Sequence, residues 1–101
     1  MIMNIGSMSL ITPVGVRALI AAGSVEDASI QAISTEGLAV VIKTKKETFV
    51  LGRMRGGIRV FVSVDGAASV LIQFGIKGFY VNAEGWLPRT LQKQSLAGNA
   101  D

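Results

Sequence analysis

The residues that could do chemistry in this chain are carboxylates, hydroxyls and amines, because its 101 residues include neither histidine nor cysteine. This composition removes the usual general base, the thiol nucleophile and most transition-metal sites. Glu26 and Asp27 are adjacent, but two carboxylates without further spaced oxygen ligands form a poor cation site. Ser63 and Asp65 are explained by helix capping, in which the hydroxyl accepts a backbone N–H and the acid favours the positive helix end. We therefore expect a non-catalytic protein with no metal and no cofactor.

A glycine-rich segment, GRMRGG at residues 52–57, is the closest approach to a phosphate-binding loop. It follows a predicted strand but leads into another strand, so no helix N-terminus is available to hold a phosphate. The segment is therefore predicted to be a hairpin turn.

Basic residues beside two hairpins are the candidate contacts to double-stranded DNA. They are Arg53, Arg55 and Arg59 at the glycine turn, and Lys43, Lys45 and Lys46 at another hairpin. A two-stranded ribbon fits the DNA major groove, and arginine suits phosphate or guanine. Alternate hairpins of a meander lie at opposite ends of the sheet, so the two groups are not expected to form one patch. The alternative interpretation is that these turns are charged only for solubility.

Two helices and five strands are predicted to position these residues. The helices are Pro13–Ala22 and Val64–Phe74, and the strands are Ala28–Ser34, Leu38–Lys43, Glu47–Met54, Ile58–Val62 and Phe79–Val81. The first four strands are joined by short turns, which predicts an antiparallel meander. The fold class is therefore α+β: a meander of about four strands, then a helix and a final strand, with a short amino-terminal helix. The last strand is expected either parallel beside the fourth strand or antiparallel against the first.

Both faces of the predicted sheet are apolar. In the second strand one face carries Leu38, Val40 and Ile42, while the opposite face carries Ala39 and Val41. A sheet with one face in water alternates more cleanly, so the second face is expected to be covered as well. The later helix would cover one face, and the amino-terminal helix or a second copy of the chain would cover the other.

The later helix carries an apolar stripe at helical spacing. Its members are Val64, Ala67, Ala68, Leu71 and Ile72. Val70 and Phe74 lie to one side of this stripe and are expected to complete the core of the monomer rather than to form a dimer contact. Trp86 is expected to seal the edge of the sheet.

Length and composition set the domain organisation and the expected partners. Residues 1–86 are predicted to form one domain and residues 87–101 a flexible tail. Residues 1–11 have no clear period and are expected to be an edge strand, a flexible arm or a segment that orders on a partner. Half of the residues are apolar and 17% are charged, which favours a homodimer. The net charge of +3 is compatible with nucleic acid. No window supplies the about 18 uninterrupted apolar residues of a membrane span, so we expect a cytoplasmic protein with no membrane partner.

The segment from the glycine turn to the last strand resembles a known family. Its positions of similarity are Arg55, Gly57, Arg59, Phe61, Ser63, Asp65, Ala67, Ala68, Leu71, Gly75, Ile76, Phe79 and Val81. The segment is similar to the closing part of small partition-associated (ParC-like) proteins carried on plasmids and integrative elements. The resemblance implies a role in plasmid maintenance or a DNA-linked accessory role. It implies no catalytic residue.

Two functions follow from these observations. The first is a non-catalytic, dimeric accessory protein of a mobile element that contacts DNA through its basic hairpins. The second is a homo-oligomeric protein-interaction module that docks on a larger partner protein through its apolar sheet face or its Met-rich start and binds no nucleic acid.

Overall fold

The computed structural model describes residues 8–91. Residues 1–7 and 92–101 lie outside this part, and with them most of the predicted arm and tail. The elements are β1 (Ser9–Ile11), α1 (Pro13–Ala21), β2 (Asp27–Ala32), β3 (Leu38–Lys43), β4 (Thr48–Leu51), α2 (Val64–Gln73) and β5 (Tyr80–Asn82). The α+β class is confirmed. No helix within residues 8–91 has the length and hydrophobicity to cross a bilayer.

The five strands form one mixed sheet in the order β1-β4-β3-β2-β5. Its centre, β2-β3-β4, is the antiparallel meander expected from the short turns. Each outer strand is instead parallel to its neighbour, β1 to β4 and β5 to β2. The prediction of a four-strand meander is therefore correct for three strands only.

The predicted fourth strand, Ile58–Val62, is not a strand. Ile58 forms an isolated bridge with Gly52 at the end of β4, and Phe61 forms another with Leu38 at the start of β3. The segment thus crosses the end of the sheet and contacts two strands in turn. It forms no continuous ladder with either strand, although its β-branched composition is typical of strands.

Neither predicted arrangement of the last strand is fully correct, although one of them named the right neighbour. β5 pairs with β2, as one alternative had it, but in the parallel direction, with Ser29 opposite Tyr80 and Ile30 opposite Val81. Because the fourth predicted strand is absent, α2 connects β4 directly to β5. Strands β4 and β2 run in the same direction, so a right-handed crossover from β4 delivers β5 parallel to β2.

Both helices pack on the same face of the sheet. The connections β1-α1-β2 and β4-α2-β5 each join parallel strands and move in the same direction across the sheet, so equal handedness places their helices on one side. The buried core confirms this, because it joins Val16 of α1 and Leu71 of α2 to Ile30 and Val40 of the sheet. This face is called the helix face below, and the other the open face.

The open face is buried at its centre although α1 does not lie on it. Its buried residues are Ser29, Gln31, Ala39, Val41 and Val50, which are 0–5% exposed in the single chain. The prediction that the second face is covered is thus confirmed at its centre. Since this burial is complete within one chain, it no longer argues for a second copy.

The predicted apolar stripe of α2 faces the core at four of its five residues, since Val64 and Ala68 pack against it as well. Ala67 and Leu71 are fully buried, and Val70 and Phe74 pack against the core as expected. Ile72, which was assigned to the stripe, is 52% exposed. Trp86 is partly buried against the core, and the next residue, Leu87, donates its N–H to the carbonyl of Thr35 in the β2–β3 turn.

The cap of α2 supports a first testable prediction. Ser63 has an extended backbone, and its Oγ accepts the N–H of Gly66 at 3.0 Å. Ser63→Ala is expected to lower the free energy of unfolding by about 1 kcal/mol, because that N–H loses its partner. Ser69→Ala, in the same helix but with only a long 3.4 Å hydroxyl contact to Gly66 O, is the matched control. Equal midpoints of urea unfolding for the two variants would contradict the capping role.

Candidate functional site

The arginine turn, residues 53–59, is a tight and well-anchored hairpin. Its first residue, Arg53, donates its N–H to the carbonyl of Gly57 at 2.8 Å and accepts the N–H of Gly56 at 3.3 Å. Gly56 and Gly57 have φ values of +93° and +77°, which side chains other than glycine rarely adopt. The turn is fixed to the sheet, because Gly52 N–H donates to Ile11 O of β1 at 2.8 Å. Its backbone is therefore rigidly attached to the body of the protein.

The three arginine side chains of this turn differ in their contacts with the rest of the protein. All three are exposed, but the Arg59 guanidinium lies 4.8 Å from the centroid of the Phe61 ring. This cation–π contact holds Arg59 against a core side chain. Within residues 8–91 neither Arg53 nor Arg55 forms an ion pair. These two guanidinium groups retain all their donors for an external anion.

The lysine hairpin, residues 43–47, is organised around Thr44. The Thr44 hydroxyl donates to Glu47 O and accepts the backbone N–H groups of Lys46 and Glu47 at 3.1–3.3 Å. Lys45 and Lys46 project from this turn and are exposed. The hairpin joins β3 to β4, whereas the arginine turn follows β4, so the two basic groups lie at opposite ends of the sheet. They form two separate surfaces, as the sequence predicted.

The two ends differ in their acidic neighbours. The lysine hairpin borders clefts that are also lined by Glu26, Asp27 and Glu47. In contrast, the segment from Thr48 to Val64, which contains the arginine turn, has no acidic residue. The N-termini of α1 and α2, which carry partial positive charge, lie at this same end because they follow β1 and β4. Asp65 of α2 and Glu36 of the β2–β3 turn also lie at this end, so the feature that favours a phosphate there is the absence of acidic residues from the turn segment itself.

A polar cavity on the open face was not predicted from the sequence. It has a volume of about 500 Å³, within the range of ordinary ligand sites. Its floor is formed by Ser29, Gln31 and Val41, and its walls include Lys43 and Tyr80. The signal that could have revealed it is the alternation along β2, where two polar residues separate Ala28, Ile30 and Ala32.

Gln31 is the unusual member of this floor. It is 2% exposed, and its Nε2 donates to Ser29 Oγ at 2.9 Å. Its Oε1 is buried without a hydrogen-bond partner. The Ser29 hydroxyl can accept from Nε2 or donate to Oε1, so in either orientation of the amide one of its two polar atoms has no partner. A buried polar atom without a partner costs about 1–3 kcal/mol of stability.

Comparison with known protein families identifies a family for this chain. A model described as ParC-like matches residues 11–90. The chain belongs to the ParC-like family. The family resemblance predicted from the sequence is thus confirmed, and the ParC-like match extends it from the closing segment to both helices and the whole meander. No curated protein and no solved structure matches the chain.

The remaining predicted residues of this ParC-like protein have structural roles or lie apart. Ser63 caps α2, and Asp65 lies in its first turn, as expected from the capping explanation. Asp27 begins β2 and Glu26 donates its N–H to Lys43 O at 2.8 Å. Within residues 8–91 no three Asp or Glu side chains lie close enough together to hold a metal ion.

Proposed function

We propose that this ParC-like protein is a non-catalytic accessory protein of a plasmid or other mobile element that acts in partition or maintenance and contacts double-stranded DNA. The family supports the first part. The observation that supports DNA contact is the arginine turn, which presents Arg53 and Arg55 without ion-pair partners on a rigid hairpin. The protein acts in the cytoplasm as a homodimer.

Phosphate contact is the role that this turn performs best. Arginine binds a phosphate through two parallel N–H donors, and a fixed backbone lowers the entropy lost on binding. The turn is short, and its tip, Met54, is 70% exposed and apolar. Recognition of base edges would require several side chains in the groove, whereas phosphate contacts need only charge and reach. The binding is therefore expected to depend weakly on DNA sequence.

Salt dependence is the direct test. With two or three phosphates neutralised, the logarithm of the binding constant should fall with the logarithm of salt concentration with a slope of about −2 to −3. Between 50 and 200 mM salt the affinity for a short duplex should drop about 10- to 60-fold. Fluorescence anisotropy of a labelled duplex measures this. Absence of binding at the lower salt concentration would exclude the DNA function.

The alternative function is a homo-oligomeric protein-interaction module that binds no nucleic acid. It is favoured by one observation: Val60 and Val62, which precede α2, are 48% and 50% exposed and line a groove of about 490 Å³ with Trp86. Exposed β-branched residues grouped beside a tryptophan are typical of protein contacts. Self-association in sedimentation without DNA binding would select this alternative.

A further inference from the structure

Strand β2 carries apolar side chains on one face and buried polar side chains on the other. On the helix face β2 carries Ala28, Ile30 and Ala32, all in the core. On the open face it carries Ser29 and Gln31, which are equally buried. Their register neighbours on β3 are Val41 and Ala39, so an apolar side chain would suit either position. Stability alone does not explain two buried polar residues here.

The unpaired atom points to an external partner. Gln31 lines the cavity, and its Oε1 is buried without a hydrogen-bond partner. Native proteins leave few such atoms unsatisfied, and the atom is then met by a water or an ion, stores strain, or has a functional role. Because a carbonyl oxygen only accepts hydrogen bonds, the matching group on a ligand is an N–H or O–H donor.

The walls of the cavity carry balanced charge. Lys43 and Lys46 contribute two positive charges, and Asp27 and Glu47 contribute two negative ones. Glu47 already accepts a hydrogen bond from the Ser9 hydroxyl, and Asp27 lies opposite Lys43 in the strand register. A purely anionic ligand would face both carboxylates, and a purely cationic ligand would face both ammonium groups. A ligand with one charge of each sign complements the walls.

We propose that this cavity binds a small zwitterion of the amino-acid class. The ligand's carboxylate is held by the lysine side of the cavity and its ammonium group by the acidic side. Gln31 Oε1 accepts a hydrogen bond from a ligand N–H at the floor. The Tyr80 ring, on the neighbouring β5 and opposite Ser29, packs against the ligand. This site is independent of the arginine turn, which lies at one end of the sheet rather than on this face.

Calorimetric titration of the full chain with the common free amino acids tests the proposal. At least one is expected to bind with a dissociation constant of about 1 mM or lower, and at least about tenfold more tightly than acetate or methylammonium, which each carry one of the two charges. Absence of binding by every amino acid at about 10 mM would overturn the proposal. Binding of nucleoside monophosphates without binding of any amino acid would overturn it too.

Gln31→Met tests the role of the unpaired atom. This variant keeps the length of the side chain and is expected to weaken the bound amino acid at least about tenfold, while its melting temperature stays equal to or above that of the unaltered chain. Gln73→Met, on the exposed end of α2, is the matched control and should change nothing. Unchanged affinity in Gln31→Met would refute the site.

A second variant covers the case in which Gln31→Met does not fold. Lys43 is exposed at the rim, so Lys43→Gln should leave the melting temperature unchanged while weakening amino-acid binding about tenfold. Equal affinity in a folded Lys43→Gln variant would contradict the proposed carboxylate contact.

Discussion

Leu71→Ala is expected to lower the free energy of unfolding by about 3 kcal/mol. Leu71 is fully buried on α2, in the core that the helix forms with β2 and β3. Removal of its three terminal carbons loses their transfer free energy and leaves a cavity that the sheet beneath cannot fill. For a chain of 101 residues this is a large part of a total stability of about 5–15 kcal/mol. Chemical denaturation measures the change through its midpoint.

The adjacent residue provides the control. Ile72 has nearly the same volume and lies in the same helix, but it is 52% exposed. Ile72→Ala is expected to change the free energy of unfolding by less than about 1 kcal/mol, because little burial is lost and alanine has the higher helix propensity. A larger loss from Ile72→Ala than from Leu71→Ala would mean that α2 packs on the sheet through a different face.

Replacing Arg53 and Arg55 together with alanine should remove most of the affinity for duplex DNA. If each guanidinium neutralises one phosphate, the slope of log affinity against log salt should become less steep by about 2. At low salt the affinity should fall by about tenfold or more. Arg59 is left in place because its contact with Phe61 ties it to the core, and its loss would confuse binding with stability.

The lysine hairpin offers a control with the same change in net charge. Lys45→Ala with Lys46→Ala also removes two positive charges, but at the opposite end of the sheet and beside Glu26 and Glu47. This pair is expected to change DNA affinity less than threefold or so, because neighbouring carboxylates already offset its field. Equal losses from both double variants would indicate attraction by net charge alone and remove the arginine turn as the contact.

The helices and the central hairpins could be predicted because their signals are local. Thr12 and Ser63 cap helices that begin where the hydroxyls predict, and Gly75, with a φ value of +88°, follows the end of α2. Strand β3 was predicted without error, since its six residues are bounded by turns on both sides. Such features depend on neighbours a few residues apart, and these are visible in the sequence.

The sheet order could not be predicted because it depends on contacts between distant residues. Ser9 pairs with Phe49 and Ser29 pairs with Tyr80, across separations that no turn signal specifies. Strand propensity also led to the wrong prediction of a strand at Ile58–Val62, because β-branched residues favour extended backbone whether or not a ladder forms. The segment forms two isolated bridges there but no ladder.

Of the two candidate sites, the arginine turn could be predicted from local sequence and the cavity could not. Arg53, Arg55 and Arg59 could be assigned to one turn because glycine spacing reveals the turn directly. The cavity around Gln31 could not be predicted, because its existence depends on both helices lying on the other face of the sheet and on Tyr80 lying opposite Ser29. Chain polarity and handedness decide both points, and neither is encoded in a single segment.

The position of β5 has a consequence for synthesis of the chain. β5 covers the outer side of β2 with only three residues, Tyr80–Asn82. During translation, β2, β3 and β4 leave the ribosome before β5 does. Until β5 is made, the backbone N–H and C=O groups on the outer side of β2 have no strand to pair with. Such a bare border is a template for aggregation with other nascent chains. Pairing of β5 with β2 therefore protects this edge of the central sheet only late in synthesis.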